Sequence, residues 1–201
     1  MKTTSNYKKH TSKNPLQKFL IEKFYQNLLQ IIGSLKPEII LDAGCGEGFT
    51  LARLKKESIG KHLEGIDSSL NAISLGKKNY PSLSLKQSDI YNLPYNDNSF
   101  DLVICSEVLE HLEHPAKALA EIVRVSKKYC ILSVPNEPIF MISNFLRGKN
   151  LPRWGNDIEH VNHWSKFGFE KFVKEKGLKL LVMKTSFPWI LVLGEKKHHD
   201  K

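Results

Sequence analysis

Arginine is scarce in this chain. Of its 30 cationic residues, only Arg53, Arg124, Arg147 and Arg153 are arginines. Lysine is the poorer group for planar, two-pronged phosphate contacts, so the formal charge of +9 reads as a solvated lysine-rich surface rather than a nucleic-acid face. RNA and anionic membrane are left only weak electrostatic attraction. Cysteine is short too. Cys45, Cys105 and Cys130 are odd in number and form no C-x-x-C pair, which suggests no zinc or disulfide framework and suits reduced, mostly buried thiols. No apolar run approaches the length a bilayer span needs, and the first fourteen residues lack the apolar stretch of a secretory signal, so the expected compartment is the cytoplasm. Repeats and low-complexity tracts are also missing.

What remains suits one domain: 201 residues, 41% hydrophobic and 25% charged. Residues 1–14 hold Lys2, Lys8, Lys9 and Lys13 without an acid and read as a disordered basic segment; residues 197–201 read as a polar tail. The domain expected between them, residues 15–196, opens with Leu16, Phe19, Leu20, Phe24, Leu28, Ile31, Ile32 and Leu35 at helical spacing, set between Pro15 and Pro37. Strand and helix then alternate: Ile39–Ala43 and a helix from Glu47; His62–Asp67 and a helix from Ser69 to Asn79; Leu83–Gln87 and a turn; Leu102–Ser106 and helices to Ser126; then the strand Tyr129–Val134. Such alternation predicts a doubly wound, mostly parallel sheet covered by helices on both faces. After a helix between Ser165 and Gly177, the strands Leu178–Thr185 and Trp189–Leu193 stand too close for a helical crossover and must pair antiparallel.

The stretch Leu41-Asp42-Ala43-Gly44-Cys45-Gly46-Glu47-Gly48-Phe49-Thr50 turns a strand into a helix through three alternate glycines. Without Cβ atoms the backbone there can turn sharply and lie directly against a small polar ligand. Dinucleotide sites want a third glycine where Phe49 stands. The string D-A-G-C-G-E-G instead resembles motif I of the class I S-adenosylmethionine-dependent methyltransferases, and the string VPNEPIF…GNDIEHVNHWS resembles small members of their ubiquinone/menaquinone-type superfamily. The resemblance covers roughly residues 36–195. It implies a Rossmann-like sheet of seven strands with one antiparallel strand in the C-terminal hairpin, S-adenosyl-L-methionine as cofactor and S-adenosyl-L-homocysteine as product.

Further motifs follow in the family's order. An acidic residue about twenty positions beyond the glycine loop, at the next strand's carboxyl end, can accept from both ribose hydroxyls; Asp67 fits, although Asp-Ser-Ser is also a common helix cap. Asp89 and Ile90 match the family's adenine contacts, or else a plain turn. Asn98-Ser99-Phe100-Asp101-Leu102-Val103 resembles the family's fourth-strand opening. The resemblance assigns Asp42, Gly44, Gly46, Gly48, Asp67, Ser68, Asp89, Ile90 and Ser106 to the cofactor.

The fourth strand runs into Ser106-Glu107-Val108-Leu109-Glu110-His111-Leu112. On a helix Glu107, Glu110 and His111 would share one face, able to hold a divalent cation or to exchange protons. This E-x-x-E-H string resembles two metal-assisted groups, the polyprenyl-quinone O-methyltransferases and the small-RNA 3′-end 2′-O-methyltransferases. The latter complete the site with a later histidine, matched in position by Glu159-His160-Val161-Asn162-His163. Relatives without a metal share the string, and the metal-free reading is preferred, with a small-molecule acceptor ahead of RNA. Residues 136–164 form a long connection with apolar Ile139, Phe140, Met141, Ile142, Phe145 and Leu146 followed by Arg147, Lys149 and Arg153, read as a lid over the acceptor or else as a packing helix with solvated cations.

Methyl transfer from a sulfonium needs mainly alignment. A hydroxyl acceptor adds the need for a base, for which His111, His160 and His163 are suited near neutral pH and Glu107 less so. Two other readings stay open: a catalytically silent cofactor-binding partner protein, and a nucleotide-dependent oxidoreductase.

Overall fold

The computed structural model describes residues 3–197 except 147, 149, 150, 156 and 158. The lid cations Arg147 and Lys149, the side chain of Arg153 and the tail beyond residue 197 lie outside the described residues. Seven strands form one sheet: β1 (Ile39–Ala43), β2 (His62–Asp67), β3 (Ser84–Gln87), β4 (Phe100–Ser106), β5 (Ser126–Pro135), β6 (Leu178–Ser186) and β7 (Trp189–Lys196). Their order is β3-β2-β1-β4-β5-β7-β6. The first five run parallel, and β7 lies between β5 and β6, antiparallel to both. The chain therefore leaves the β3 edge and returns beside β1, which places a crevice beyond the carboxyl ends of β1 and β4, where open sheets of this kind bind ligands.

Seven helices accompany the strands among the described residues: α1 (Ser5–His10), α2 (Pro15–Leu35), α3 (Phe49–Lys56), α4 (Leu70–Asn79), α5 (Pro115–Val125), α6 (Glu137–Leu146) and α7 (Lys166–Glu175). Successive strand residues point to opposite faces. Ile40, Leu102, Ile104, Ile131 and Leu191 accordingly pack with Leu28 and Ile32 of α2, while Leu41, Val103, Cys105, Leu132 and Val192 pack with Leu119 and Ile122 of α5 and Phe169 of α7. With both faces covered, central strands read as continuous apolar runs. Asp101 of the Ser-Phe-Asp string is a structural brace, because its Oδ2 accepts the N–H groups of Glu38 and Ile39, both at 3.0 Å, and so pins the start of β1.

Several boundaries differ from the sequence reading. Residues 5–10, read as disordered, form α1, capped by Thr4 and packed on the glycine loop. α3 starts at Phe49 rather than Glu47, because Gly48 is its N-cap with φ 82°, in the left-handed region. β5 starts at Ser126, which also caps α5, so helix passes into strand without a glycine turn. The stretch after β4 is not an α-helix. Glu107 has φ 58°, and only Leu109–His111 make a single turn of 3-10 helix.

Candidate active site

A cavity of about 800 Å³ opens at the carboxyl ends of β1, β2 and β4, within the range of small-molecule sites. Asp42, Gly44, Gly46, Asp67, Ser68, Asp89, Ile90 and Ser106 line it, as do Glu107, His111 and His160. Two expected residues do not. Gly48 backs onto hydrophobic packing, where an added Cβ would lie 3.2 Å from both Leu83 and Leu85. His163 stands outside the lining, with Nδ1 3.6 Å from Glu137 Oε1.

The glycine loop is held by main-chain bonds. Gly44 N–H and Cys45 N–H both donate to Ile66 O at 2.8 Å, which ties the end of β1 to β2. A Cβ on Gly44 would fall 2.3 Å from Val108 Cγ2, so only glycine fits. Asp67 sits beneath the loop: its Oδ2 accepts Gly46 N–H at 2.9 Å and its Oδ1 accepts Ser69 N–H at 2.8 Å. It is at once a loop brace, part of the cap region of α4, and a cavity carboxylate with lone pairs left for a ligand. Asp89 likewise serves its turn, accepting Tyr91 N–H at 2.9 Å, while lining the cavity. Asp42 is buried, its Oδ2 has no partner, and burial together with the charge of Asp67 pushes its pKa up to about 7.

The opposite wall gathers acids and imidazoles from distant segments. Glu110 is buried with both carboxylate oxygens unpartnered, and burial, reinforced by Glu107, raises its pKa well above the usual range. His111 Nδ1 donates to Glu159 O at 2.8 Å; a carbonyl can only accept, so Nε2 is the nitrogen left with a lone pair. His160 Nδ1 meets Glu137 Oε1 at 2.6 Å, and its ring stands 5.0 Å from that of His111. Burial pulls the His160 pKa down, but the bond and charge of Glu137, helped by Asp157 and Glu107, outweigh it and leave the imidazole above its ordinary value. Glu110, His111 and His160 each bring one oxygen or nitrogen to within 4.8 Å of the others. Glu107 does not join them, since its left-handed backbone turns the carboxylate to Lys9, 3.5 Å away, and to Ser133.

Sequence reasoning missed two residues on this wall. Glu137 is buried at the start of α6, and its only trace in the sequence is an acid inside the apolar run after β5. Asn162 Nδ2 donates to Leu109 O at 3.2 Å and to Leu112 O at 2.6 Å, which fastens the histidine segment onto the 3-10 turn. The distance from the E-x-x-E-H string drew notice instead to the histidines flanking it.

Comparison with known proteins identifies the domain. A family described as "Methyltransferase domain" matches residues 41–134, the span from the glycine loop to β5. The norajmaline N-methyltransferase of Rauvolfia serpentina is 32% identical over 116 residues, covering 55% of this chain and 37% of that protein. The demethylmenaquinone methyltransferase of Renibacterium salmoninarum is 32% identical over 100 residues, covering 50% of this chain and 41% of that protein. The chain thus spans less than half the length of these relatives. Among solved structures, a magnesium protoporphyrin IX methyltransferase from Synechocystis PCC 6803 with bound SAH superposes with a TM-score of 0.70 at 17% identity, over 94% of this chain and 92% of that one. The family match over residues 41–134, these relatives and the shared fold support a class I S-adenosylmethionine-dependent methyltransferase domain. The site fits that cofactor on its own terms: Gly44 and Gly46 line the cavity beside the orphaned buried carboxylate of Asp42, which suits a cationic group.

Proposed function

We propose that this protein transfers the methyl group of S-adenosyl-L-methionine to an oxygen of a small-molecule acceptor, with no metal ion. The observation that carries the oxygen reading is His160, whose Nδ1 is taken by buried Glu137 and whose ring lines the same cavity as Asp67 and the glycine loop. When bound, the cofactor supplies a methyl already activated on a sulfonium, so the chain contributes placement and proton handling. Asp67, Ser68, Asp89 and Ile90 would hold the adenosine end, and Asp42 with Gly44 and Gly46 the amino-acid end. Glu137 holds His160 in the tautomer with the proton on Nδ1, so Nε2 takes the hydroxyl proton as the oxygen attacks. The imidazolium so formed is stabilised by the same carboxylate. Burial raises the Glu110 pKa and so disfavours a second negative charge beside it.

Incubating the protein with labelled methyl donor and cell extract, then identifying the labelled product by mass, tests the reading. A methyl ether supports it; a methylated amine or carbon as the sole product overturns the oxygen assignment. The proximity of Glu110, His111 and His160 favours a second reading in which a divalent ion binds there and activates a vicinal diol or catechol-like oxygen, as in an RNA 3′ ribose or a quinone precursor. The metal-free reading expects chelator to leave the rate unchanged and added Mg²⁺ or Mn²⁺ not to raise it. Activity lost with chelator and restored by metal selects the second.

A further inference from the structure

The amino-terminal segment forms part of the cavity wall. Glu47, wholly buried within the glycine loop, takes hydrogen bonds from the Thr4 hydroxyl and from Asn6 Nδ2, the latter at 2.6 Å. The same Asn6 amide lies over the loop, 2.8 Å from where a Cβ on Gly46 would stand. His10 stacks on Phe49, with ring centroids 4.3 Å apart and planes 17° from parallel, and it tilts against Tyr25 at 5.7 Å. Burial first, then the charges of Lys9 and Arg53, lower its pKa to about 3, so this ring is a neutral packing surface. Between these anchors Lys9 faces the cavity, with Nζ 3.5 Å from Glu107 Oε2 and 4.9 Å from the centroid of the Trp189 ring.

The charge on the wall gives Lys9 its meaning. Seven acids line the cavity: Asp42, Asp67, Asp89, Glu107, Glu110, Asp157 and Glu159. Lys9 is the only lysine or arginine among the described lining residues. S-adenosylmethionine carries a sulfonium, an ammonium and a carboxylate. The acidic wall suits the first two and repels the third, which calls for a charged donor. Lys9 stands beside Glu107 just past the end of β4, the strand next to β1 and its glycine loop.

We infer that residues 4–10 are a strap completing the cofactor site, and that Lys9 binds the carboxylate at the amino-acid end of the cofactor. The inference rests on the cofactor occupying the glycine loop. Glu107 is the resting partner of Lys9, and the cofactor's carboxylate exchanges with it. The strap roofs the loop through Thr4, Asn6 and His10, so loading requires these contacts to open and close again.

Calorimetry on the full chain with two ligands tests this. S-adenosylhomocysteine has the carboxylate; 5′-methylthioadenosine keeps the adenosine and sulfur but lacks the amino-acid end. The Lys9→Met variant retains an apolar stem without charge. It should bind S-adenosylhomocysteine about 10- to 100-fold more weakly, as for the loss of a charge-assisted hydrogen bond, and methylthioadenosine as the parent protein does. Unchanged affinity for S-adenosylhomocysteine overturns the inference and leaves Lys9 to an anionic acceptor. Equal weakening of both ligands also overturns it, because the side chain then only shapes the strap. Asp67→Ala separates the underlying assignment: it should weaken both ligands, and if it weakens neither, the glycine-loop site is what fails. In the parent protein, saturating S-adenosylhomocysteine should slow tryptic cleavage after Lys8 and Lys9 several-fold; unchanged cleavage overturns the strap.

Discussion

The two walls of the cavity are built by different means. On the side of the glycine loop, at the ends of β1 and β2, positions are set by strand ends and by bonds to main-chain atoms: Gly44 and Cys45 to Ile66 O, and Asp67 to the amides of Gly46 and Ser69. On the other side they are set by side chains far apart in sequence, such as Glu137 with His160, Asn162 with the 109–112 turn, and Asn6 with Glu47. The first kind of wall needs only a strand, a glycine pattern and an acid at the right place, and the family match includes all of it. The second depends on particular pairs. The relatives carry names with different acceptors, an N-methyltransferase among them, as expected if one wall sets the donor and the other the acceptor.

That division is open to test, from large effects to small. Gly46→Val strikes where the walls meet: a β-branched residue at φ 54° is strained by about 1–3 kcal/mol, and its Cβ would come within 2.8 Å of Asn6. Binding of S-adenosylhomocysteine should vanish while circular dichroism shows the sheet retained; normal affinity would mean that this is not the cofactor loop. On the acceptor wall alone, His160→Ala should lower kcat about 100-fold or more with cofactor affinity kept, whereas His163→Ala, outside the cavity, stays within about fivefold. Similar losses in both variants would remove the distinction between them. Glu137→Gln takes away the charge that raises the His160 pKa, so the rising limb of the pH–rate profile should move to lower pH as the plateau falls. A profile that does not move argues against His160 as the base.

Asp67→Ala belongs to the cofactor wall and should cost about 1.5–3 kcal/mol of affinity for S-adenosylmethionine by calorimetry, with no selectivity between acceptors. Unchanged affinity rejects it as a ligand. The smallest effect concerns Asp42. Its raised pKa, about 7, leaves it partly protonated in the free protein, and a cationic ligand favours the carboxylate. Binding of S-adenosylmethionine should therefore release protons, and its affinity should rise with pH through that value by at most about tenfold per pH unit. S-adenosylhomocysteine, lacking the sulfonium charge, should show a shallower slope, and equal slopes would place the linked proton elsewhere.

By itself the sequence determined the sheet and pointed to the glycine loop and the acids that line the cavity beside it. Those features are local: alternation of strand and helix, glycine at positions with φ of 86° and 54°, and an acid one strand later. Gly48 lies outside the cavity lining, and a glycine packed against Leu83 and Leu85 looks in sequence like one that touches a ligand. Tertiary structure alone decided the rest. It turned Glu107 away from Glu110 and His111 through one left-handed residue, chose His160 over His163 by aiming Glu137 at it, and folded a lysine-rich end over the glycine loop. Each of these depends on a contact between segments separated by many residues, as Asn6 is from Glu47 and Asn162 from Leu109. Periodicity and spacing carry no information about such contacts, because they record the path of the chain and not the neighbours that the fold brings to it.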